Sequence, residues 1–317
     1  EKKNNGQYQC CFCLLTFPVV AGMVDLRLHS DRYLSLNQER QKARRLAGKA
    51  NSLSLEALAR AYYAITADVD EARRERFVSH ILQAENRGLA ILSRLPKNGD
   101  ILEIGCGTGG FLAAAAKSGR NAFGIDIASR WLVVARSRLQ EARKNSHITN
   151  ILPACTENLP YTNDSWKLIV ADSLLEHVDD AVAAIREMVR VVRPGGLILI
   201  WTPNRRWLGP DPHVGLWLVK FLPEKWARSY LKRRRGDIFW PKCRSSHEWE
   251  SLLKLHFPTL QAKCRPADTS GWPKSDNTLR GYLVRLCGFF GKLPIFKSLL
   301  KSFGPLIEIQ IRKPDLN

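Results

Sequence analysis

The sequence predicts an α/β chain built on an open, mostly parallel sheet, and three observations carry that expectation. Apolar runs of strand length recur at residues 101–104, 122–125, 151–154, 168–172 and 197–201, with helical segments between them. The first run ends in a glycine turn, Gly105-Cys106-Gly107-Thr108-Gly109-Gly110, that opens a helix, Phe111 to Lys117. Asp126 stands at the tip of the second run, the spacing of a βαβ unit that places an acid about 20 residues beyond its turn. Two later strands, near 260–264 and 306–311, bring the total to seven. The last alternates and should pair antiparallel with its neighbour.

Composition bounds the rest. The chain has 317 residues, 45% of them hydrophobic, enough for one large domain with appendages. No run of 18 uncharged apolar residues occurs, so no membrane-spanning helix is expected. The chain begins at Glu1 without Met or a signal-peptide pattern, which reads as a trimmed start. Eight cysteines, only three of them clustered, do not make a disulfide framework, and a reducing cytoplasm is the default location. The formal charge of +19 allows nucleic acid, an anionic membrane surface or acidic substrates as partners, without choosing among them.

In chain order, residues 1–36 read as a small β module. Cys10 and Cys13 have the CxxC spacing of a zinc knuckle, but a tetrahedral zinc needs four ligands and no second CxxC lies upstream, so no metal is assigned. Residues 37–99 form a helical cap. Ser54 caps a helix from Leu55 to Ile65, and Asp70 starts a longer one to Leu95, with Phe77, Ile81, Leu82, Leu89 and Leu92 on one face. The main domain, 100–317, follows Pro96-Lys97-Asn98-Gly99-Asp100. After Asp126 come a helix, Trp131 to Lys144, a short strand, Ile151 to Ala154, and the strand Leu168 to Asp172. A helix, Ala181 to Val192, closes on Arg193-Pro194-Gly195-Gly196 before the fifth strand, Leu197 to Trp201.

Two helical insertions interrupt the last part, at 205–255 and 266–302. The first contains Asp211-Pro212-His213 and a stretch, Trp217 to Arg235, that mixes apolar and basic residues at near-helical spacing. The second is a basic amphipathic stretch, 278–302, divided by Pro294. The first suits an anionic lipid surface or RNA phosphates, and the second could cap an apolar pocket or rest on a membrane.

The glycine turn with a downstream acid fits NAD, FAD or S-adenosylmethionine. Pyrophosphate cofactors want GxGxxG, whereas the register here is Glu103-x-Gly105-x-Gly107-x-Gly109. A carboxylate at Glu103 would repel a pyrophosphate but suits a sulfonium or an α-amino group. Asp126 can accept both hydroxyls of a ribose, and the glycines admit a ligand close to the backbone.

These residues resemble the first two motifs of the class I S-adenosylmethionine-dependent methyltransferases, and the likeness runs from about Asp100 to Asn204. Ser173-Leu174-Leu175-Glu176-His177-Val178 and Arg190-Val191-Val192-Arg193-Pro194-Gly195-Gly196 with Thr202-Pro203-Asn204 extend it, closest to the ubiquinone and menaquinone branch. The resemblance implies a Rossmann-like sheet and S-adenosyl-L-methionine held by Glu103, Gly105, Cys106, Gly107, Gly109, Asp126, Ile127, Cys155, Thr156 and Asp172. Cys155 stands where the family has an Asp or Asn for the adenine amino group, and Lys167 where it has an Asp. It also implies a small-molecule or lipid-linked methyl acceptor, and the basic amphipathic stretches allow peripheral contact with an anionic membrane. His213 is the favoured acceptor-side base and His177 the second candidate. Residues 1–36 resemble the second half of a zinc ribbon that precedes some methyltransferases. The alternatives are an RNA methyltransferase, against which the chain has no Asn/Asp-Pro-Pro-Tyr/Phe motif, and a non-catalytic cofactor- or partner-binding member of the fold.

Overall fold

The computed structural model describes residues 6–11, 13–66, 71–142, 151–211, 213–236, 240–269, 279–291 and 293–315. The chain divides into two compact units, residues 1–162 and 163–317.

In the first unit, β1 (Gln7–Gln9), β2 (Thr16–Val20) and β3 (Met23–Val24) form a three-stranded antiparallel sheet. Three helices follow: α1 (Leu36–Ala50), α2 (Leu55–Ala64) and α3 (Glu71–Leu92). The Ser54 side chain caps α2 by accepting from Ala57 N, as expected. Helix α1 starts at a reciprocal capping box between Ser35 and Gln38, which satisfies two of the donors that a helix N-terminus leaves open. Asp70, expected to start α3, lies outside the described residues. The buried face of α3 differs from the expected one. Ile81 and Leu92 are buried as expected, together with Val78 and Ile91, whereas Leu82 and Leu89 are exposed. Gly88 explains the shift. A Cβ there would lie 2.6 Å from Phe111 Cα, so α3 lies backbone to backbone on α4 (Gly110–Lys117), and small residues rather than leucines make the contact.

The glycine turn sits between β4 (Ile101–Ile104) and α4. Strand β5 (Ala122–Asp126) pairs parallel with β4 on one side and with β6 (Ile151–Pro153) on the other. Between β5 and β6 runs α5 (Ser129–Ala142); Lys144, its expected end, lies outside the described residues. Ile101, Leu102 and Ile104 are fully buried, consistent with a parallel strand covered on both faces.

In the second unit, β7 (Trp166–Asp172) pairs parallel with β8 (Val192–Pro203), and α6 (Ala181–Val191) connects them. The expected Pro-Gly-Gly turn is absorbed into β8 as an irregularity. Trp166 pairs with Val192 and Leu168 with Leu197, so the extra residues bulge out, with Gly195 at φ 69°. Beyond β8 come a short 3-10 turn (Val219–Phe221), α7 (Glu224–Arg235), α8 (Ser246–His256) and β9 (Gln261–Pro266). The helix expected across Trp217 to Arg235 begins only after Pro223. Helices α9 (Leu279–Phe290) and α10 (Pro294–Phe303) divide at Pro294 as expected, with the proline at the first position of α10. Strand β10 (Leu306–Arg312) runs antiparallel to both β8 and β9. It does not alternate. Flanked on both sides, it buries Leu306, Ile307, Glu308 and Ile309 in succession, and Glu308 accepts from Trp201 Nε1 at 3.1 Å. The seven-stranded sheet has the order β6-β5-β4-β7-β8-β10-β9, with β10 as its antiparallel member.

Two glycines test the packing. A Cβ on Gly110 would lie 2.6 Å from Ala84, part of it backbone, whereas one on Gly48 in α1 would meet nothing within 4 Å. Gly110→Ala should destabilise the chain by about 1–3 kcal/mol through overpacking. Gly48→Ala should stabilise it by roughly 0.5–1 kcal/mol through helix entropy. Thermal melts of the two variants would give opposite shifts.

Candidate functional site

The first unit builds a candidate site from β4, its turn and the tip of β5. Gly105, Gly107 and Gly109 all have positive φ, at 75°, 48° and 73°. Gly105 N and Cys106 N both donate to Ile125 O, at 2.8 and 3.0 Å, which folds the turn back on β5. Asp126 then locks it. Its Oδ2 accepts from Gly107 N at 2.8 Å and its Oδ1 from Ala128 N at 2.7 Å. Burial raises the Asp126 carboxyl above the ordinary range, against the pull of these two donors and of Arg130.

The glycines divide their work. A Cβ on Gly107 would meet nothing within 4 Å, so this backbone faces open space where a ligand can approach. A Cβ on Gly109 would lie 3.0 Å from Ala135 Cβ, and Gly110 abuts α3. Gly109 therefore serves the packing of α5. Cys106 contributes backbone only, because its side chain is buried against Gly124 and its thiol is pushed well up by burial, with Asp126 and Glu103 adding to the shift. Glu103 is buried at the end of β4.

Two supports of this site are absent from the sequence reading. Arg138 in α5, itself buried, donates from Nε to Thr108 O at 2.8 Å and from Nη2 to Ile81 O, tying the glycine turn to α3. The segment after β3 is the other. Leu26 N donates to Pro153 O at 2.9 Å, Arg27 Nη1 to Ile127 O at 2.9 Å, and Leu28 N to Cys155 Sγ at 3.4 Å. Arg27 is held by a bidentate pair with Asp25, which Arg40 also contacts at 2.8 Å. This strap covers the outer edge of β6 and reaches the residues next to Asp126. Cys155 and Thr156 are both buried beneath it. Burial raises the Cys155 thiol, so it meets Leu28 as a neutral, weakly accepting group. Arg130, beside the same loop, is enclosed by Glu39, Asp31 and the Tyr62 hydroxyl.

The second unit holds a polar cluster around the ends of β7 and β8. Asp172 ends β7, and Ser173 follows at φ 53°, a strained conformation for a residue with a Cβ. Glu176 is fully enclosed. Its Oε2 accepts from Thr202 Oγ1 at 3.1 Å, while Oε1 has no hydrogen-bond partner and lies 3.8 Å from His213 Nε2. Burial raises the Glu176 carboxyl despite His213. His213 Nδ1 lies 3.7 Å from Asp211 Oδ1, and the His213 and His177 rings meet edge to face at 5.1 Å. Glu176, His177 and His213 each offer a ligand atom within 4.8 Å of the others. This is the set among the described residues that could hold a cation, where the sequence assigned none.

Asp211 anchors the insertion. It accepts from His213 N at 2.8 Å and Val214 N at 3.1 Å, and Lys220 Nζ lies 3.6 Å away. Burial alone would raise its carboxyl, but His213 and Lys220 hold it well below the ordinary range. Lys220 also donates to Asn204 O at 3.1 Å, and Asn204 Nδ2 to Ser302 O at 3.1 Å, so the residue after β8 joins the insertion to α10. His177 and His213 are thus brought together, with Glu176 as their missed partner. Pro212 lies outside the described residues. The Glu-His pair in one loop was legible; its meeting with an insertion residue 36 positions on was not.

A methyltransferase-domain family model matches residues 102–200. The ubiquinone biosynthesis O-methyltransferase of Hydrogenovibrio crunogenus is 31% identical over 113 residues, 35% of this chain and 45% of that protein. The enzyme of the same name from Aeromonas salmonicida is 33% identical over 105 residues, 33% of this chain and 43% of that protein. The match thus spans under half the length of these relatives. Among solved structures, an S-adenosylmethionine-dependent methyltransferase from Thermotoga maritima covers 75% of this chain and 94% of its own, at 18% identity and a TM-score of 0.47.

Two outcomes test the supports. Arg27→Met should release the strap, and Cys155, now fully buried, should be alkylated by iodoacetamide at least roughly tenfold faster, read by peptide mass spectrometry; each tenfold corresponds to about 1.4 kcal/mol of opening. Asp211→Asn leaves Lys220 buried without its partner and should cost about 3–5 kcal/mol at neutral pH. Because the folded Asp211 carboxyl is depressed, its stabilisation is present above the ordinary aspartate value of 3.8. It is lost as pH falls through the lower folded value, so the gap between wild type and variant should shrink in acid denaturation series below that pH. Residues 102–200 thus match a methyltransferase domain, and over that stretch the chain is similar to ubiquinone biosynthesis O-methyltransferases.

Proposed function

We propose that this chain uses S-adenosyl-L-methionine to methylate a small-molecule or lipid-linked acceptor. The observation that carries the reading is the Asp126 lock on a glycine turn whose Gly107 backbone faces open space. Bound there, the cofactor would supply a methyl carbon activated by sulfonium, released when an acceptor lone pair forms the new bond and the carbon–sulfur electron pair stays on sulfur.

The residues have distinct tasks in this reading. Asp126 takes the ribose hydroxyls with the lone pairs that its two backbone contacts leave available. The backbone of Gly105 and Gly107 approaches the aminoacyl end, and the buried Glu103 offsets its ammonium charge. Ile127, Cys155 and Thr156 border the adenine, with Asp172 a further candidate contact. A thiol at position 155 accepts hydrogen bonds poorly, so adenine recognition falls to backbone groups near Thr156. Orientation of donor and acceptor can supply roughly 7–11 kcal/mol of the barrier without a catalytic side chain. His213 is the candidate base for an acceptor that keeps its proton, with Glu176 and Asp211 orienting its ring and His177 beside it.

The test is transfer of labelled methyl from S-adenosylmethionine to lipid extract and, in parallel, to RNA. Label in a low-molecular-weight or lipid product supports the proposal; label in RNA alone would replace it with the RNA reading, and label in neither extract with the non-catalytic one. His213→Ala should lower kcat by about 10²–10⁴-fold if it acts as a base, with cofactor Kd unchanged. Loss of cofactor binding in that variant would assign His213 a structural role instead.

A further inference from the structure

Helices α9 and α10 carry apolar side chains that no described residue of the second unit covers. On α9 the outward residues are Leu279, Tyr282, Leu286 and Phe289, spaced three, four and three apart; they are 62%, 61%, 41% and 66% exposed. That spacing puts them on one face. Gly281, Val284 and Gly288 lie buried on the opposite face. On α10, Ile295, Leu299 and Phe303 recur every fourth residue, and Ile295 is 82% exposed. No α10 residue is fully buried. The Phe290 and Phe296 rings meet at a tilt, with centroids 5.0 Å apart, and join the two helices. The result is a hairpin with an apolar stripe on each helix, far more than the scattered single exposures ordinary on a soluble surface.

The charge pattern selects the occupant. From residue 277 to 307 the chain has Arg280, Arg285, Lys292, Lys297 and Lys301 and not one carboxylate. Lys301 is engaged by Glu250 of α8 at 2.5 Å, whereas Lys297 is exposed. A second protein with a complementary apolar groove would not require an acid-free segment, and a second copy of this chain would set like charges against each other. Short helices with aromatic and aliphatic residues outward and lysine or arginine alongside, in a chain of net charge +19, fit the interface of an anionic bilayer. Among the described residues no helix is long and apolar enough to cross a membrane, which leaves a helix pair lying on the surface.

We propose that the α9–α10 hairpin is a membrane-docking surface, which seats Leu279, Tyr282, Leu286, Phe289, Ile295 and Leu299 in the headgroup–acyl boundary of an anionic lipid bilayer. This extends the lipid-linked reading of the acceptor, but vesicle binding is measured without cofactor or acceptor, so each can fail alone.

The experiment is co-sedimentation of the full chain with vesicles of phosphatidylcholine alone and of phosphatidylcholine mixed with phosphatidylglycerol. The expected result is binding to the mixed vesicles, weakened by salt, and reduced roughly tenfold or more by Ile295→Asp or Phe289→Asp, the scale for one large apolar side chain that can no longer be buried. Lys297→Glu should weaken the same binding, and Leu15→Asp, on the N-terminal sheet, should leave it unchanged. All three target side chains are exposed, and matched melting curves would show that folding is intact. Equal binding to both vesicle types, or full binding by both aspartate variants, would overturn the proposal. So would a wild-type dimer that ignores vesicles and dissociates in Ile295→Asp, since the stripe would then belong to a second copy.

Discussion

The hydrogen bond from Gly107 N to the Asp126 carboxylate, 2.8 Å long, is the constraint on which the first unit depends. It joins two parallel strands at their ends and fixes a turn of three left-handed glycines that would otherwise be among the most mobile backbone in the chain. Everything around it serves the same geometry. Gly109 and Gly110 let α5 and α3 approach, Arg138 holds the Thr108 carbonyl, and Ala128 shares the second carboxylate oxygen. An acid placed this way is costly to bury, and its raised carboxyl reflects that cost. Such a cost is retained at a site that must meet a polar ligand.

The second unit solves a different problem with the same means. Asp211 anchors the start of its insertion, organising two backbone N–H groups, His213 and Lys220 at once. Lys220 then reaches Asn204, and Asn204 reaches the end of α10. Asn204, directly after β8, is thus a junction between the insertion and α10. Cys243 lies in the field of the same charges, and burial pushes its thiol to about 12, so it stays neutral.

Much of this was legible in the sequence, for physical reasons that also mark the limits. The strands were readable because buried parallel strands are near-continuous apolar runs, as in Leu168 to Ala171 and Leu197 to Ile200. The glycine turn and Asp126 were readable because few backbones need three glycines at that spacing. The α3 face was misread because Gly88 and Ala84 make its closest contact, and small residues carry no hydrophobic signal. The edge-covering strap was missed because Arg27 reads as a surface charge. Only the fold shows it paired with Asp25 and donating to Ile127, a hundred residues away in sequence. Glu176 was passed over for the same reason: its partner His213 comes from an insertion whose path no local pattern dictates.

The account stands or falls on what the Asp126 turn holds, and calorimetry of S-adenosylhomocysteine with the wild-type chain, Asp126→Ala and an NAD control tests it most directly. Saturable binding of S-adenosylhomocysteine alone, lost or strongly weakened in Asp126→Ala while the melting curve stays cooperative, is the predicted result. Unchanged binding in the variant, or preference for NAD, would contradict it.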